Sequence, residues 1–175
     1  MKITALFFGV FAGCLSCIPA HAADYLWNGG NGSWTDSGAW RLDDSSADWS
    51  NGNTAQFQTD SSITVGSGIS ASGMLYNGAA ITLNGGSLTL TGAAAGNNGG
   101  SATLSNTGLI LDAPNAEDSY EVRDTSLTGS ATLAKTGAGT VTLDGAHTAS
   151  GVWNINAGTL VFTGERNITA SDNNR

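Results

Sequence analysis

Few residues in this 175-residue chain could do chemistry, and those few stand apart from one another. Of two histidines, His21 lies near the start and His147 falls on a predicted turn, expected at the surface. A lone imidazole lacks the hydroxyl and carboxylate partners of a nucleophilic triad, and the further ligands of a zinc site. Carboxylates gather twice, as Asp43, Asp44 and Asp48 and as Glu117, Asp118, Glu121 and Asp124. Paired carboxylates at a suitable separation cleave glycosides, and clustered ones bind calcium, but solvated loop charge explains both groups more simply. No EF-hand loop is present, and Gly29-Gly30-Asn31-Gly32-Ser33 lacks the aspartate of calcium-binding nonapeptide repeats. The expectation is therefore a chain with no catalytic residue, no metal and no cofactor.

The only thiols, Cys14 and Cys17, sit in an N-terminal segment with the features of an export signal. Lys2 gives a positive start, Ile3 to Ala12 an apolar stretch, and Pro19 precedes the small-x-small site Ala20-His21-Ala22. Cleavage after Ala22 makes residues 1–22 a signal peptide; the rival is lipid modification at Cys14, after Phe11-Ala12-Gly13. Cleavage after Ala22 would leave no thiol for disulfides or metal sites. It would also remove Lys2, taking the formal charge from −8 to −9, with fourteen acidic residues remaining. Such a surface repels phosphate backbones, so nucleic acid is not an expected partner.

Positioning of any surface must come from the rest of the chain, which holds 25 glycines, two prolines and only 11% charged residues in all. From Ser61 onward, short runs alternate apolar and hydroxyl residues, among them Ile63-Thr64-Val65, Ile81-Thr82-Leu83, Leu88-Thr89-Leu90 and Ala102-Thr103-Leu104. Gly, Asn, Asp or Ser breaks every gap, and no window holds a helical period, so strands are expected and helix is not. Gly100-Ser101-Ala102-Thr103-Leu104 recurs as Gly129-Ser130-Ala131-Thr132-Leu133, and Gly139-Thr140-Val141 as Gly158-Thr159-Leu160. Head-to-tail echoes of strands too short to bury a face alone predict an all-β, right-handed parallel β-helix. An antiparallel meander joined by Asn-Gly turns is the rival architecture. At roughly 20 residues per coil, residues 23–175 would make about seven or eight coils. Asp112 to Asp118, with Pro114, reads as a loop insertion, and Thr, Ser and Asn stand where stacked side chains can form ladders.

Residues 23–60 differ in character. Trp27, Trp34, Trp40 and Trp49 fall there among Gly, Asn, Ser and Asp. The expectation is a Trp-rich N-terminal cap over the open first coil, followed by β-helical coils over 61–175. An aromatic platform for sugar rings is the functional alternative.

Within Leu133 to Phe162, Leu133, Lys135, Gly137, Gly139, Thr140, Leu143, Gly145, Thr148, Gly151, Ile155, Gly158, Thr159 and Leu160 fall in a recognisable order. The segment resembles the autotransporter-associated β-strand repeat, departing from it at His147, Ala149 and Trp153. Independently of that likeness, Gly139 and Gly158 should mark corners that need positive φ or close backbone approach. Lys135 is expected on the outer surface. The resemblance implies the N-terminal part of an autotransporter passenger: an exported, non-enzymatic solenoid at the cell surface, associated with the outer membrane, or secreted. It further implies an adhesin-like display role, with host or bacterial surface molecules as partners and a translocator β-barrel if the product is longer. A carbohydrate-binding module on the Trp-rich end and a β-helical polysaccharide-cleaving enzyme are the alternatives.

Overall fold

A computed structural model describes residues 22–164. The signal-peptide reading and the weak run at Ile168 lie outside the described residues. Each alternating run becomes a strand because its apolar residues can face inward only if period two is kept, and each Gly- or Asn-containing gap becomes a corner.

In chain order the strands are β1 (Asp24–Trp27), β2 (Gly32–Ser33), β3 (Trp40–Leu42), β4 (Ser45–Ala47), β5 (Asn53–Phe57) and β6 (Ser61–Thr64). Next come β7 (Ile69–Asn77), β8 (Ala80–Asn84), β9 (Ser87–Leu90), β10 (Ala94–Asn97), β11 (Ser101–Ser105) and β12 (Gly108–Asp112). The last are β13 (Ser119–Val122), β14 (Thr125–Thr128), β15 (Thr132–Thr136), β16 (Thr140–Leu143), β17 (Trp153–Ile155) and β18 (Thr159–Phe162). Among the described residues there is no helix.

Pairing sorts these strands into three faces. The first half of β7 stacks on β9, β12, β15 and β17 in one column. The second face runs β1, β5, the second half of β7, β10, β13, β16 and β18. The third runs β2, β6, β8, β11 and β14, continued by a bridge from Leu127 to His147. Every one of these pairings is parallel, as the head-to-tail repeats required. The long β7 serves two faces because it turns at Gly73, where a Cβ would lie 3.0 Å from the Ala93 carbonyl oxygen.

The core is a set of straight columns, one side chain per coil. Ile69, Leu88, Leu109, Leu133 and Trp153 form one of them. Tyr25, Ala55, Met74, Ala94, Val122, Leu143 and Phe162 form another. Each aliphatic side chain thus packs on its equivalents above and below, which is how the inward side chains of a four-residue strand come to be buried.

The stack makes about five turns, fewer than the seven or eight expected. Steps between equivalent residues are mostly near 20, as between Met74 and Ala94. Two places consume more chain. Asp24 pairs with Thr54 across a 30-residue step that includes β3, antiparallel to β1, and β4, antiparallel to β3. Ala94 pairs with Val122 across 28 residues that include the loop between Asp112 and Ser119, the insertion read from the sequence.

Candidate functional site

Three places gather the side chains singled out by the sequence: the aromatic N-terminal end, the two acidic clusters and the segment from Leu133 to Phe162.

At the N-terminal end, antiparallel pairing of β1 with β3 sets Trp27 opposite Trp40. Trp34 and Trp40 have no exposed surface, and their ring centroids lie 4.9 Å apart. Trp49 packs edge-on to Trp34 at 5.2 Å and tilted on Trp40 at 4.7 Å. Phe57 on β5 and then Tyr76 on β7 carry the aromatic stack into the coil interior. Trp40 donates its indole N–H to the Trp34 carbonyl at 2.8 Å, so one indole both fills volume and ties the turn. A sugar platform needs an open ring face. Trp34 and Trp40 offer none, so the arrangement does not support the sugar-stacking alternative at these two rings. Burial of the Tyr76 phenol, whose oxygen lies 3.2 Å from Thr125 Oγ1, pushes its pKa far above the usual tyrosine value.

The carboxylates are dispersed into local turn-capping. Asp48 accepts from the Gly38 backbone N–H at 2.8 Å, and Asp44 pairs with Arg41 at 3.1 Å on the surface. Asp118 closes the inserted loop by accepting from the Asn115 N–H at 2.8 Å, while Asp124 accepts from Gly96 N–H. Glu121 faces Arg123 at 3.6 Å, exposed. Among the described residues no three His, Cys, Asp or Glu side chains converge as metal ligands.

The repeat segment departs from expectation at two residues. Lys135 is not on the outer surface: its side chain is fully buried, in the inward column Ala71, Leu90, Leu111, Lys135, which the exposed Ile155 continues on β17. Position, counted by alternation from Leu133, points it inward, and the length of its stem lets the ammonium reach the corner after β15. There it donates to the carbonyls of Thr136, Gly137 at 2.9 Å and Ala157 at 3.5 Å. Ala157 belongs to the next coil, so one ammonium ties two successive corners. Desolvation holds the Lys135 pKa below the usual lysine range, with Asp112 opposing the shift. Asp112 in turn accepts from the Thr136 hydroxyl at 2.8 Å.

His147 is likewise inside rather than on the surface, bridged to Leu127 and fully buried. Its ring lies 5.9 Å from Trp153, which stacks on Phe162 at 5.5 Å with only 16° between planes. Trp153, another departure from the repeat pattern, therefore packs inward in the Leu133 column rather than lying where a small polar residue would. The aliphatic stem explains Lys135, and the aromatic neighbours supplied by β17 and β18 explain His147. Neither contact is visible before the coils are in register.

Gly139 and Gly158 stand at the corners before β16 and β18. A Cβ on Gly139 would lie 2.5 Å from the Asp118 carbonyl oxygen and 2.6 Å from that of Asn115. Gly158 has φ of +69° and would set a Cβ 2.5 Å from the Gly137 carbonyl oxygen.

Lys135 lends itself to a direct test. Lys135→Ala removes packed methylenes and leaves three carbonyls without their donor, and should cost about 2–4 kcal/mol in urea unfolding. Lys135→Met keeps the stem and removes a desolvated charge but leaves the same carbonyls unpaired, so it should cost about 1–2 kcal/mol, less than Lys135→Ala. Equal losses in the two variants would show that the ammonium, not the packing, carries the contribution.

The family model described as passenger-associated-transport-repeat matches residues 133–162. That stretch is therefore an autotransporter passenger repeat, and it spans β15 to β18, the last two coils described. No curated protein and no solved structure matched the chain.

Proposed function

We propose that this chain is the N-terminal part of an autotransporter passenger, exported through residues 1–22 and displayed at the cell surface or released as a non-enzymatic, adhesin-like solenoid. The observation that carries this reading is the passenger repeat at 133–162 set in register at one end of a continuous parallel stack. In this reading residues 23–60 act as the cap, residues 61–175 form coils, and Leu133, Lys135, Gly137, Gly139, Thr140, Leu143, Gly145, Gly151, Ile155, Gly158, Thr159 and Leu160 form the repeat motif. Parallel coils suit export, because each coil packs only on its neighbour and the stack can grow as chain emerges. A translocator β-barrel is the partner that a longer product would need, and molecules on host or bacterial surfaces are the partners that display would offer.

The reading is tested by fusing a reporter active only outside the cytoplasm after Gly164 in a Gram-negative host. Reporter activity is expected, lost on deletion of residues 1–22, with N-terminal sequencing placing the mature start at Ala23. Ala22→Trp should leave the longer precursor unprocessed. Reporter activity that survives deletion of residues 1–22 would contradict export by this route.

A further inference from the structure

Six Asn-Gly steps occur among the described residues, at Asn28, Asn31, Asn51, Asn77, Asn84 and Asn98, each at a corner or a strand end. This dipeptide cyclises readily, because glycine puts no side chain in the way of its own backbone nitrogen. The nitrogen attacks the asparagine side-chain carbonyl carbon, a new N–C bond forms, and ammonia leaves with the displaced proton. Water then opens the resulting succinimide at either carbonyl. One opening gives aspartate and the other isoaspartate, which carries one extra carbon in the backbone. The attack needs a side chain free to swing and a glycine N–H released from any acceptor, so a hydrogen bond at either group slows it.

Five of the six steps are held in this way. Asn51 is held hardest. Its side-chain carbonyl accepts from Ser70 N–H at 2.9 Å and from the Trp49 indole at 3.0 Å, and its amide donates to Gly68 O at 3.0 Å. The following Gly52 N–H donates to Ser70 O at 3.0 Å. After Asn77, the Gly78 N–H donates to Asn97 O at 2.8 Å. The stacked-asparagine ladder expected from the sequence is formed at two places: Asn97 donates to the Asn77 side chain at 3.1 Å, and Asn106 to that of Asn84 at 3.3 Å. Asn31 accepts from Ser62 N–H at 2.9 Å, and Asn28 donates to Gly38 O at 3.5 Å.

Asn98 differs. It opens the two-residue turn between β10 and β11, closed by Gly100 N–H donating to Asn97 O at 3.0 Å. Asn98 has φ of +53° and Gly99 of +79°, a pairing that Asn-Gly tolerates, and both residues are exposed. Among the described residues, neither the Asn98 side chain nor the Gly99 N–H makes a hydrogen bond. A Cβ built on Gly99 would meet nothing within 4 Å, so a five-membered ring has room to form there. We propose that Asn98 is a self-modification site, converting through a succinimide to aspartate and isoaspartate while the fold protects the other five steps. The product places a carboxylate at the corner between the second and third faces, in a chain already at −8. As isoaspartate it also lengthens the backbone beside Gly100, which leaves no room for a side chain against the Tyr76 carbonyl. The modification is a property of the folded chain and does not depend on its display.

The test ages the purified chain in warm, mildly alkaline buffer and follows each Asn-Gly step by proteolytic digestion and mass spectrometry. Conversion at Asn98 is expected to run about tenfold or more faster than at Asn51 or Asn77, the factor that opening one or two hydrogen bonds supplies. Ammonia release and isoaspartate at position 98 should accompany it. Unfolding the chain in guanidinium should bring the six rates together, since the fold and not the dipeptide sets the difference. Asn98→Gln should abolish the fast conversion. Asn106→Gly, which suits the φ of +57° there, should speed conversion at Asn84 and leave that at Asn98 unchanged, with circular dichroism verifying that both variants are folded. Conversion at Asn51 or Asn77 as fast as at Asn98 in the folded chain would overturn the proposal. So would a preference for Asn98 that persists after unfolding.

Discussion

Trp40→Ala should be the most damaging single change, lowering stability by about 3–5 kcal/mol in urea or thermal unfolding. A domain of this kind is stable by only about 5–15 kcal/mol, so a large part of the total is at stake. The magnitude follows from position. Trp40 is fully buried, touches Trp27, Trp34, Trp49 and Phe57, and donates to the Trp34 carbonyl. Removing it opens a cavity at the end of the stack and orphans an acceptor inside it. Trp34→Phe is the informative comparison. The Trp34 indole N–H is buried and forms no hydrogen bond, so replacing it with Phe should cost about 2 kcal/mol or less. If Trp34 served as a sugar platform instead, Trp34→Ala would leave the fold intact; burial of the ring leads us to expect that it does not.

Gly139→Val should cost about 3 kcal/mol, while Ala138→Val beside it should stay within about 0.5 kcal/mol. Ala138 is exposed on the same turn, whereas Gly139 is buried against the inserted loop. Any Cβ on Gly139 meets the carbonyls of Asp118 and Asn115, and a β-branched one has no rotamer that avoids them. The cost therefore reports how firmly the inserted loop is seated on the coil below. Equal effects at the two positions would mean that the loop gives way.

Much of this architecture is readable before any coordinates exist, and the reason is periodicity. Alternation identifies which residues of Thr140-Val141-Thr142-Leu143 face inward, and the recurring Gly-Thr step identifies which coils stack. Column packing adds nothing that the repeat does not already imply. Three features escape such reading, because each depends on how the coils come together. Lys135 obeys the inward parity of its strand, but only the corner carbonyls of its own and the next coil make burial of an amine tolerable. His147 replaces a turn residue of the repeat and is drawn inside by Trp153 and Phe162. The number of turns depends on how much chain the hairpin of β3 and β4 consumes, and nothing local fixes that.

The account rests on neighbouring coils lying parallel and in register, and cysteine pairs test that directly. With Cys14 and Cys17 replaced by serine, Thr82→Cys/Thr103→Cys places two thiols on adjacent rungs, about 4.8 Å apart at Cα and within disulfide reach. Thr82→Cys/Ser126→Cys places them two rungs apart, at roughly twice that distance and out of reach. Mild oxidation should link the first pair within the monomer and leave the second pair free. Linkage of the second pair, or failure of the first in a folded chain, would contradict the parallel stack.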